Sequence, residues 1–500
     1  MGKRREIIIV SNRGPVTYQR GPEQTRDAKR GGGGLATALG GLAAHHDVTW
    51  IASAMSDVDR ELADESNGRA IEERLASGAS YRLRLLAHDR SAYDQYYDVV
   101  ANPTLWFVQH CLWELVREPD YERSGLERAW RKGYAPINAA FAEAAIEELS
   151  RRPEAVVFFN DYHLYLAPRL VRARVPSASL LHFVHIPWPP LGRWRVLPEE
   201  IAVAIYDGLL ANDVVGFHTN RWRRNFVRSA ESITSAKPVE GKDAISYAGT
   251  RTCLSARAIS IDPGDLATLV DHPRVLEHER RIVEARPEFL VVRVDRTDPS
   301  KNIVRGFQAF ELFLETHPEL HGRVAMLSFL DPSRLDIREY EDYLEAIRRE
   351  ALRVNEHFQR PGWTPIDLQI EDDVHQSIAA YKQYDALFVN AIYDGLNLVA
   401  KEAPLANERD GVLILSENTG AHEELGPFSL TIDPFDVRAQ ADAIYEALTM
   451  APAERRRWIE GIRWCVRKHD LVWWIEGLLH DLDSCLADKS KRVGSATKPQ

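Results

Sequence analysis

Short apolar runs rich in β-branched residues recur at positions 7–10, 155–159, 180–184, 289–292, 324–327, 386–389 and 412–415, each followed by a polar turn and a helical pattern. Runs buried on both faces suit parallel strands, and strands alternating with helices predict an α/β chain built on doubly wound parallel sheets. In such sheets ligands sit beyond the carboxyl ends of the strands, so the residues after each run are where chemistry is expected. A Pro-Gly turn after a short apolar segment, at Ile259-Ser-Ile-Asp-Pro-Gly264, predicts a boundary between a domain of residues 1–262 and one of residues 263–468. Each part is large enough for its own core, and a cleft between two such domains is the default ligand site. The polar tail, residues 489–500, is expected to be disordered.

The stretch Asp394-Gly-Leu-Asn-Leu-Val-Ala-Lys-Glu402 follows the run Ala386-Leu-Phe-Val-Asn390 and reads as a strand, a turn and the start of a helix. A helix start carries unpaired N–H groups and about half a positive charge, so Leu396 to Val399 are candidates to hold a phosphate. Glu402, one turn on, is a candidate for sugar hydroxyls. The plainer reading is an ordinary corner with Asp394 capping the helix.

After the first run come Ser11-Asn-Arg13 and then Arg30-Gly-Gly-Gly-Gly-Leu35, whose glycines let backbone amides approach a ligand while Arg13 and Arg30 add fixed charge. The glycines match neither a P-loop nor a clean dinucleotide fingerprint. Asp161 in Asn160-Asp-Tyr-His163 and His185 in His185-Ile-Pro-Trp-Pro-Pro190 each stand at a strand end, to accept from or donate to a sugar, or to serve as a turn residue and a buried ring. In Asp295-Arg-Thr-Asp-Pro-Ser-Lys301, Arg296 offers a planar fork and Lys301 a point charge for a diphosphate, with surface salt bridges as the alternative. Arg334 is a candidate for a second phosphate, and Tyr97 and Trp106 for the wall of a sugar site or for core.

Composition narrows the partners. A net charge of −11 argues against nucleic acid and anionic membranes as partners, and leaves phosphate recognition to local clusters. Four scattered cysteines indicate neither a zinc knuckle nor a disulfide framework, which fits a reducing cytoplasm. No signal-peptide core or membrane span is present in the sequence. Asp57-Val-Asp59 and Asp481-Leu-Asp483 imitate a metal-binding pair but lie in charged helical segments and read as solvated faces, so no metal is expected. The basic-aromatic Arg221-Trp-Arg-Arg-Asn-Phe226 reads as a helix with solvent-facing arginines rather than a nucleic-acid site.

Together these segments resemble the trehalose-6-phosphate synthase family, retaining glycosyltransferases of the GT-B fold, with two Rossmann-like domains facing across a cleft. The carriers are Ser11-Asn-Arg13, Gly33-Gly34-Leu35, Tyr97, Trp106, Asp161-Tyr162-His163, His185-Ile186-Pro187, Arg296 to Lys301, Asp394 to Glu402 and Leu415-Ser-Glu-Asn-Thr-Gly-Ala421. The resemblance implies a donor, expected to be uridine diphosphate glucose, held in the second domain by Arg296, Lys301, Asp394, Gly395, Asn397, Leu398, Val399 and Glu402, with Gly34 reaching over it. It implies an acceptor, glucose 6-phosphate, on Arg13, Tyr97, Trp106, Asp161 and Arg334. The catalytic set would be Asp161, His185, Arg296 and Lys301, with no cofactor, and a C-terminal helix over residues 469–488 would cross back to the first domain. The front-face displacement usually drawn for the family needs no pair of carboxylates.

Ser53 stands where the family commonly has a tryptophan. Several segments, among them Trp50-Ile-Ala-Ser-Ala54 and Arg296-Thr-Asp-Pro-Ser-Lys-Asn302, are more similar to the validamycin-type pseudo-glycosyltransferase branch. A cyclitol phosphate or glycerol phosphate acceptor and C–N coupling therefore stand as the alternative, and a sugar-phosphate sensor without turnover as a third. The donor base and any homo-oligomer are left open.

Overall fold

The structure is a computed structural model that describes residues 4–21, 25–30, 42–74, 78–115 and 123–496. The chain divides into two compact units, one of residues 1–258 with 471–500 and one of residues 259–470. No helix among the described residues is long and apolar enough to cross a membrane.

The first unit is built on a ten-stranded sheet whose middle is parallel. In chain order its parallel strands are Glu6–Val10, Asp47–Ser53, Ser80–Leu86, Val156–Asn160, Ser179–Val184, Val214–Phe217 and Thr250–Ala256. In space they run third, second, first, fourth, fifth, sixth, seventh. The central strands are apolar because helices cover both faces, and Val156–Asn160 is buried along its whole length. Antiparallel strands close both edges: Ile71–Arg74 beside Ser80–Leu86, and Ala244–Tyr247 with Lys237–Pro238 beyond Thr250–Ala256.

The second unit repeats the plan with six strands, all parallel: Phe289–Arg296, Val324–Asp331, Ile366–Ile370, Ala386–Val389, Val412–Ser416 and Leu430–Ile432. Their spatial order is again third, second, first, fourth, fifth, sixth. Helix Ile303–Thr316 places Ile303, Phe307, Phe310 and Leu314 at three- and four-residue spacing, and this stripe packs on Val291, Met326 and Phe388 of the sheet. A Cβ on Gly306 would stand 2.3 Å from the guanidinium of the fully buried Arg293, so only glycine lets this helix lie on that side chain.

In this strand order the direction of winding reverses between the first and fourth strands, leaving a crevice at their carboxyl ends. In the first unit Val10 pairs with Phe159 across that switch, and in the second Val291 pairs with Ala386.

Three expectations are corrected here. Cys253 and Cys485 form a disulfide with Cα atoms 6.2 Å apart; they are 232 residues apart in sequence, and only the return of the C-terminal helix to the first unit brings them together. That helix is Leu471–Ala496, so residues 489–496 of the tail expected to be disordered are helical, with Lys489 bonded to Asp213 at 2.6 Å; residues 497–500 lie outside the described ones. Of the aspartates read as solvated, Asp57 and Asp483 are exposed, the latter paired with Arg5, and Asp481 pairs with Arg257, whereas Asp59 is buried and accepts from the amides of Tyr18, Met55 and Ser56. In helix Asn220–Ile233, Trp222 and Phe226 are buried and Arg224 and Arg228 exposed.

Candidate active site

Both switch points carry the residues expected there. In the first unit, strand Glu6–Val10 runs into a turn that Ser11 pins: its Oγ donates to the Arg13 carbonyl and accepts from Trp50 Nε1, each at 2.7 Å. The exposed Arg13 guanidinium donates to the Tyr97 hydroxyl at 3.2 Å, and the Tyr97 ring stacks on Tyr93 at 5.7 Å and on His163 at 6.0 Å. Asn12, buried beneath, accepts from Ser53 Oγ and from the Tyr96 hydroxyl, both at 3.1 Å, and Ser53 Oγ also lies 3.1 Å from His88 Nε2.

Tyr97 belongs to a wide helical stretch, Gln95–Trp106, with π-type hydrogen bonding. Pro103 within it has no N–H to give to the preceding turn, and Thr104 Oγ1 donates instead to the Val99 carbonyl at 2.8 Å. Trp106, expected as an acceptor wall, is only 6% exposed, stacks on His110 at 3.9 Å and lies 5.6 Å from Tyr162.

Asp161 follows strand Val156–Asn160 at φ 70° and ψ 180°, a region that glycine occupies and side chains avoid. Its Oδ1 accepts the His185 amide at 3.0 Å, and its own amide donates to the Phe183 carbonyl at 2.8 Å. Asp161 and His185, on neighbouring strands, are thus one unit. Asn160 Oδ1 lies 3.2 Å from His185 Nε2. Burial holds the His185 imidazolium well below its usual range, with His218 and His182 pushing the same way, so the ring is neutral at pH 7.

In the second unit the first strand ends at Arg296 and turns through the 3-10 segment Pro299–Lys301. Asp298 caps that turn by accepting the Ser300 amide at 2.9 Å. Fully buried, Asp298 also faces Arg334 at 3.4 Å and Arg296 at 4.0 Å, so one carboxylate gathers two of the expected phosphate ligands. Arg334 sits at φ 51°, bonded as well to the Tyr340 hydroxyl. Lys301 pairs with Asp394, which also accepts from Asn397 Nδ2 at 3.2 Å.

The helix after the fourth strand is Val399–Ala406, and Asp394 does not cap it: Asn397, at φ 84°, accepts the Ala400 amide at 3.1 Å. Asp394 is too far back along the turn to reach the helix, and Lys301 holds it instead. The amides of Leu398 and Val399 stand at the helix start, where no preceding turn supplies acceptors. Gly395 is fixed from the turn after the next strand: Gly420 donates to the Asp394 carbonyl at 3.0 Å and Ala421 to the Leu396 carbonyl at 2.9 Å, and a Cβ on Gly420 would stand 1.9 Å from the Gly395 carbonyl oxygen. Glu402 is partly buried beside the Tyr381 hydroxyl, and burial pushes its carboxyl up to about 7. Among the described residues, eight non-glycine positions have positive φ, and Asp161, Arg334 and Asn397 of the candidate set are three of them.

Residue identities alone did not reveal Asp298, Arg293 or Tyr381. Buried Arg293 donates to the Lys301 carbonyl at 3.0 Å, to Asp295 at 2.8 Å and to Asn390 at 3.2 Å, which fixes the turn that presents Lys301. An arginine inside an apolar strand was the available signal. Gly34 lies outside the described residues.

Comparison with known proteins bears on this geometry. The sequence profile of glycosyltransferase family 20 matches residues 5–484. A validamine 7-phosphate valienyltransferase of Streptomyces hygroscopicus subsp. jinggangensis is 30% identical over 495 residues, 99% of this chain and 97% of that protein. A bifunctional trehalose-6-phosphate synthase/phosphatase of Thermoproteus tenax is 33% identical over 491 residues, 96% of this chain and 63% of that longer protein. The crystal structure of an α,α-trehalose-phosphate synthase (UDP-forming) from Burkholderia xenovorans in complex with glucose-6-phosphate has a TM-score of 0.80 and 27% identity, covering 96% of this chain and 100% of that one.

Proposed function

The chain belongs to glycosyltransferase family 20 and has the GT-B fold, and from that premise we propose that it moves glucose from a nucleoside diphosphate, uridine diphosphate glucose first, to glucose 6-phosphate, forming α,α-trehalose 6-phosphate. The observation that carries the reading is the doubling of one arrangement: two sheets of the same strand order, with Arg13 and Asp161 at one switch point and Arg296, Lys301 and Asp394 at the other. One relative with a solved structure was crystallised with glucose-6-phosphate, which supports the choice of acceptor.

In this reading the second unit binds the donor. Arg296, Lys301 and the amides of Leu398 and Val399 meet the diphosphate, Glu402 the nucleotide's hydroxyls, and Asp394 with Gly395 the sugar. Arg13, Tyr97, Trp106 and Asp161 orient the acceptor and Arg334 takes its phosphate. The acceptor's anomeric hydroxyl bonds to the donor's C1 as the bond from C1 to the diphosphate oxygen breaks, and the leaving phosphate takes the hydroxyl proton. The neutral His185 lies beside the oxocarbenium-like sugar without adding charge. No metal enters these steps.

Purified protein offered nucleotide-glucose donors and sugar phosphates should release nucleotide only when both substrates are present, and should do so in EDTA. A panel in which no pairing releases nucleotide would end the reading, and a loss restored by Mg²⁺ would end its metal-free form. A second reading is favoured by the valienyltransferase relative and by the small hydroxyl of Ser53: a cyclitol phosphate acceptor, joined through nitrogen. Product mass from a panel that includes aminocyclitol phosphates separates the two. The reading places the enzyme in the cytoplasm, where Cys253 and Cys485 would be held mostly as thiols; the ion pairs of Asp481 and Asp483 still fasten the helix there.

Glu402 gives this reading a pH dependence. A carboxyl raised to about 7 binds its proton more tightly in the folded chain than in the unfolded one. Its contribution therefore favours folding at pH below the ordinary carboxylate range and is lost as pH rises through about 7. Donor binding should run the opposite way, since only the carboxylate accepts two hydroxyls well. Calorimetry with uridine diphosphate glucose, whose diphosphate is ionised throughout, should give affinity about three- to tenfold weaker at pH 6 than at pH 8. Glu402→Gln should flatten the profile; an unchanged slope would remove Glu402 from the site.

A further inference from the structure

The C-terminal helix Leu471–Ala496 presents Trp474, Leu478, Asp481 and Cys485 at three- and four-residue spacing, along one face. That face lies on the first unit. Asp481 takes a two-pronged bond from Arg257, at 2.8 and 2.9 Å, and another from Ser255 Oγ at 2.7 Å. Cys485 lies against Cys253, with Cα atoms 6.2 Å apart, and Leu478 packs where Gly216 leaves room, since a Cβ there would stand 3.3 Å from it.

These anchors lie one to three turns beyond Trp474, which stands in the first turn of the helix. It is fully buried, edge-on to Phe183 with ring centres 5.1 Å apart, and 6.1 Å from the imidazole of His185. Phe183 stands 4.7 Å and His218 5.4 Å from the same imidazole. The bond at 3.2 Å between Nε2 and Asn160 Oδ1 leaves the ring a swing about that contact, and the three rings close that swing.

We propose that Trp474 is a positioning residue for His185, so that the C-terminal helix is part of the group-transfer machinery of the first unit. The proposal rests on the reading that His185 acts beside the transferred sugar. Trp474→Leu opens space against the imidazole, and a ring free to turn spends less time in the productive orientation, which lowers kcat and leaves substrate affinity nearly alone.

The test is steady-state kinetics of the full chain with both substrates, with each variant's melting curve recorded. Trp474→Leu should lower kcat about tenfold with the donor KM changed less than about twofold, and Trp474→Phe should restore the rate to within about threefold of wild type. Trp473→Leu removes as large a ring from the same turn, one that stacks on Arg257 at 5.3 Å, and should leave kcat within about twofold of wild type. In a His185→Ala background, Trp474→Leu should cost nothing further. Unchanged kcat in Trp474→Leu, equal losses in both tryptophan variants, or losses that multiply in the double variant would each overturn the proposal. Should Trp474→Leu fail to fold, Trp474→Phe carries the same cycle, with a loss of about threefold expected only when His185 is present. Wild-type rates in His185→Ala would show that the reading of His185 fails, and the proposal with it, whereas a silent Trp474→Leu beside a crippled His185→Ala would sink the proposal alone.

Discussion

Lys301→Ala is expected to lower kcat/KM for the donor about 10²- to 10³-fold, the cost of removing one preorganised charge from a site where negative charge develops on the leaving group. Three observations support that role in the proposed reaction. It stands just past the first strand of the second unit, at the switch point; Arg293 holds its carbonyl; and it pairs with Asp394, at the end of the fourth strand. The side chains are 12% and 14% exposed, so the pair is largely shielded from water. Alanine would leave Asp394 without its cation, and stability should fall by about 1–3 kcal/mol.

That second effect separates structure from chemistry. Lys301→Met with Asp394→Asn removes both charges, and should recover most of the lost stability while turnover stays at the level of the single variant or below. Thermal unfolding and steady-state kinetics on the three proteins decide it. A donor KM and kcat unchanged in Lys301→Ala would remove the residue from the diphosphate site. Turnover that returned with stability in the double variant would make the pair a fold device only.

The two sheets were legible because parallel strands covered on both faces must be apolar along their length, and such runs stand out against polar turns. Residues just past a run could be read for the same reason: Arg13, Asp161, Arg296 and Asp394 are placed by their strands, and no long-range partner is needed to find them. Partners chosen by tertiary return stayed hidden. Cys485 meets Cys253 across 232 residues, and the Asp298 that joins Arg296 to Arg334 looks in sequence like a turn residue before proline. The Asp394 cap failed because the helix starts only at Val399, where Asn397 takes the amide, and the ammonium of Lys301, a partner invisible from the local sequence, holds Asp394 instead. Asp59 misled for a related reason: an aspartate near a helix start reads as exposed, yet three amides converge on it and bury it. Trp106 could be read either as sugar wall or as core because a residue type does not give its face, and its packing on His110 and Tyr162 comes from tertiary structure.

Asp161 carries the other large effect, and its backbone supplies the control. At φ 70° and ψ 180° it occupies a region costing a side-chain-bearing residue about 1–3 kcal/mol, and glycine little. Asp161→Ala keeps that strain and loses the carboxylate; Asp161→Gly loses both. The variants should therefore differ in stability, glycine the more stable by about 1–2 kcal/mol, and agree in turnover, each down about 10²- to 10³-fold. Equal turnover is the decisive part. The carboxylate accepts the His185 amide through Oδ1, and its second oxygen is the acceptor's hydrogen-bond partner in the proposed reaction. If the strained backbone were instead what serves catalysis, by aiming the adjacent Tyr162 and His163, then alanine, which holds the same backbone, would transfer faster than glycine. Full activity in either variant would take Asp161 out of the acceptor site and leave His185 with a backbone anchor that chemistry does not need.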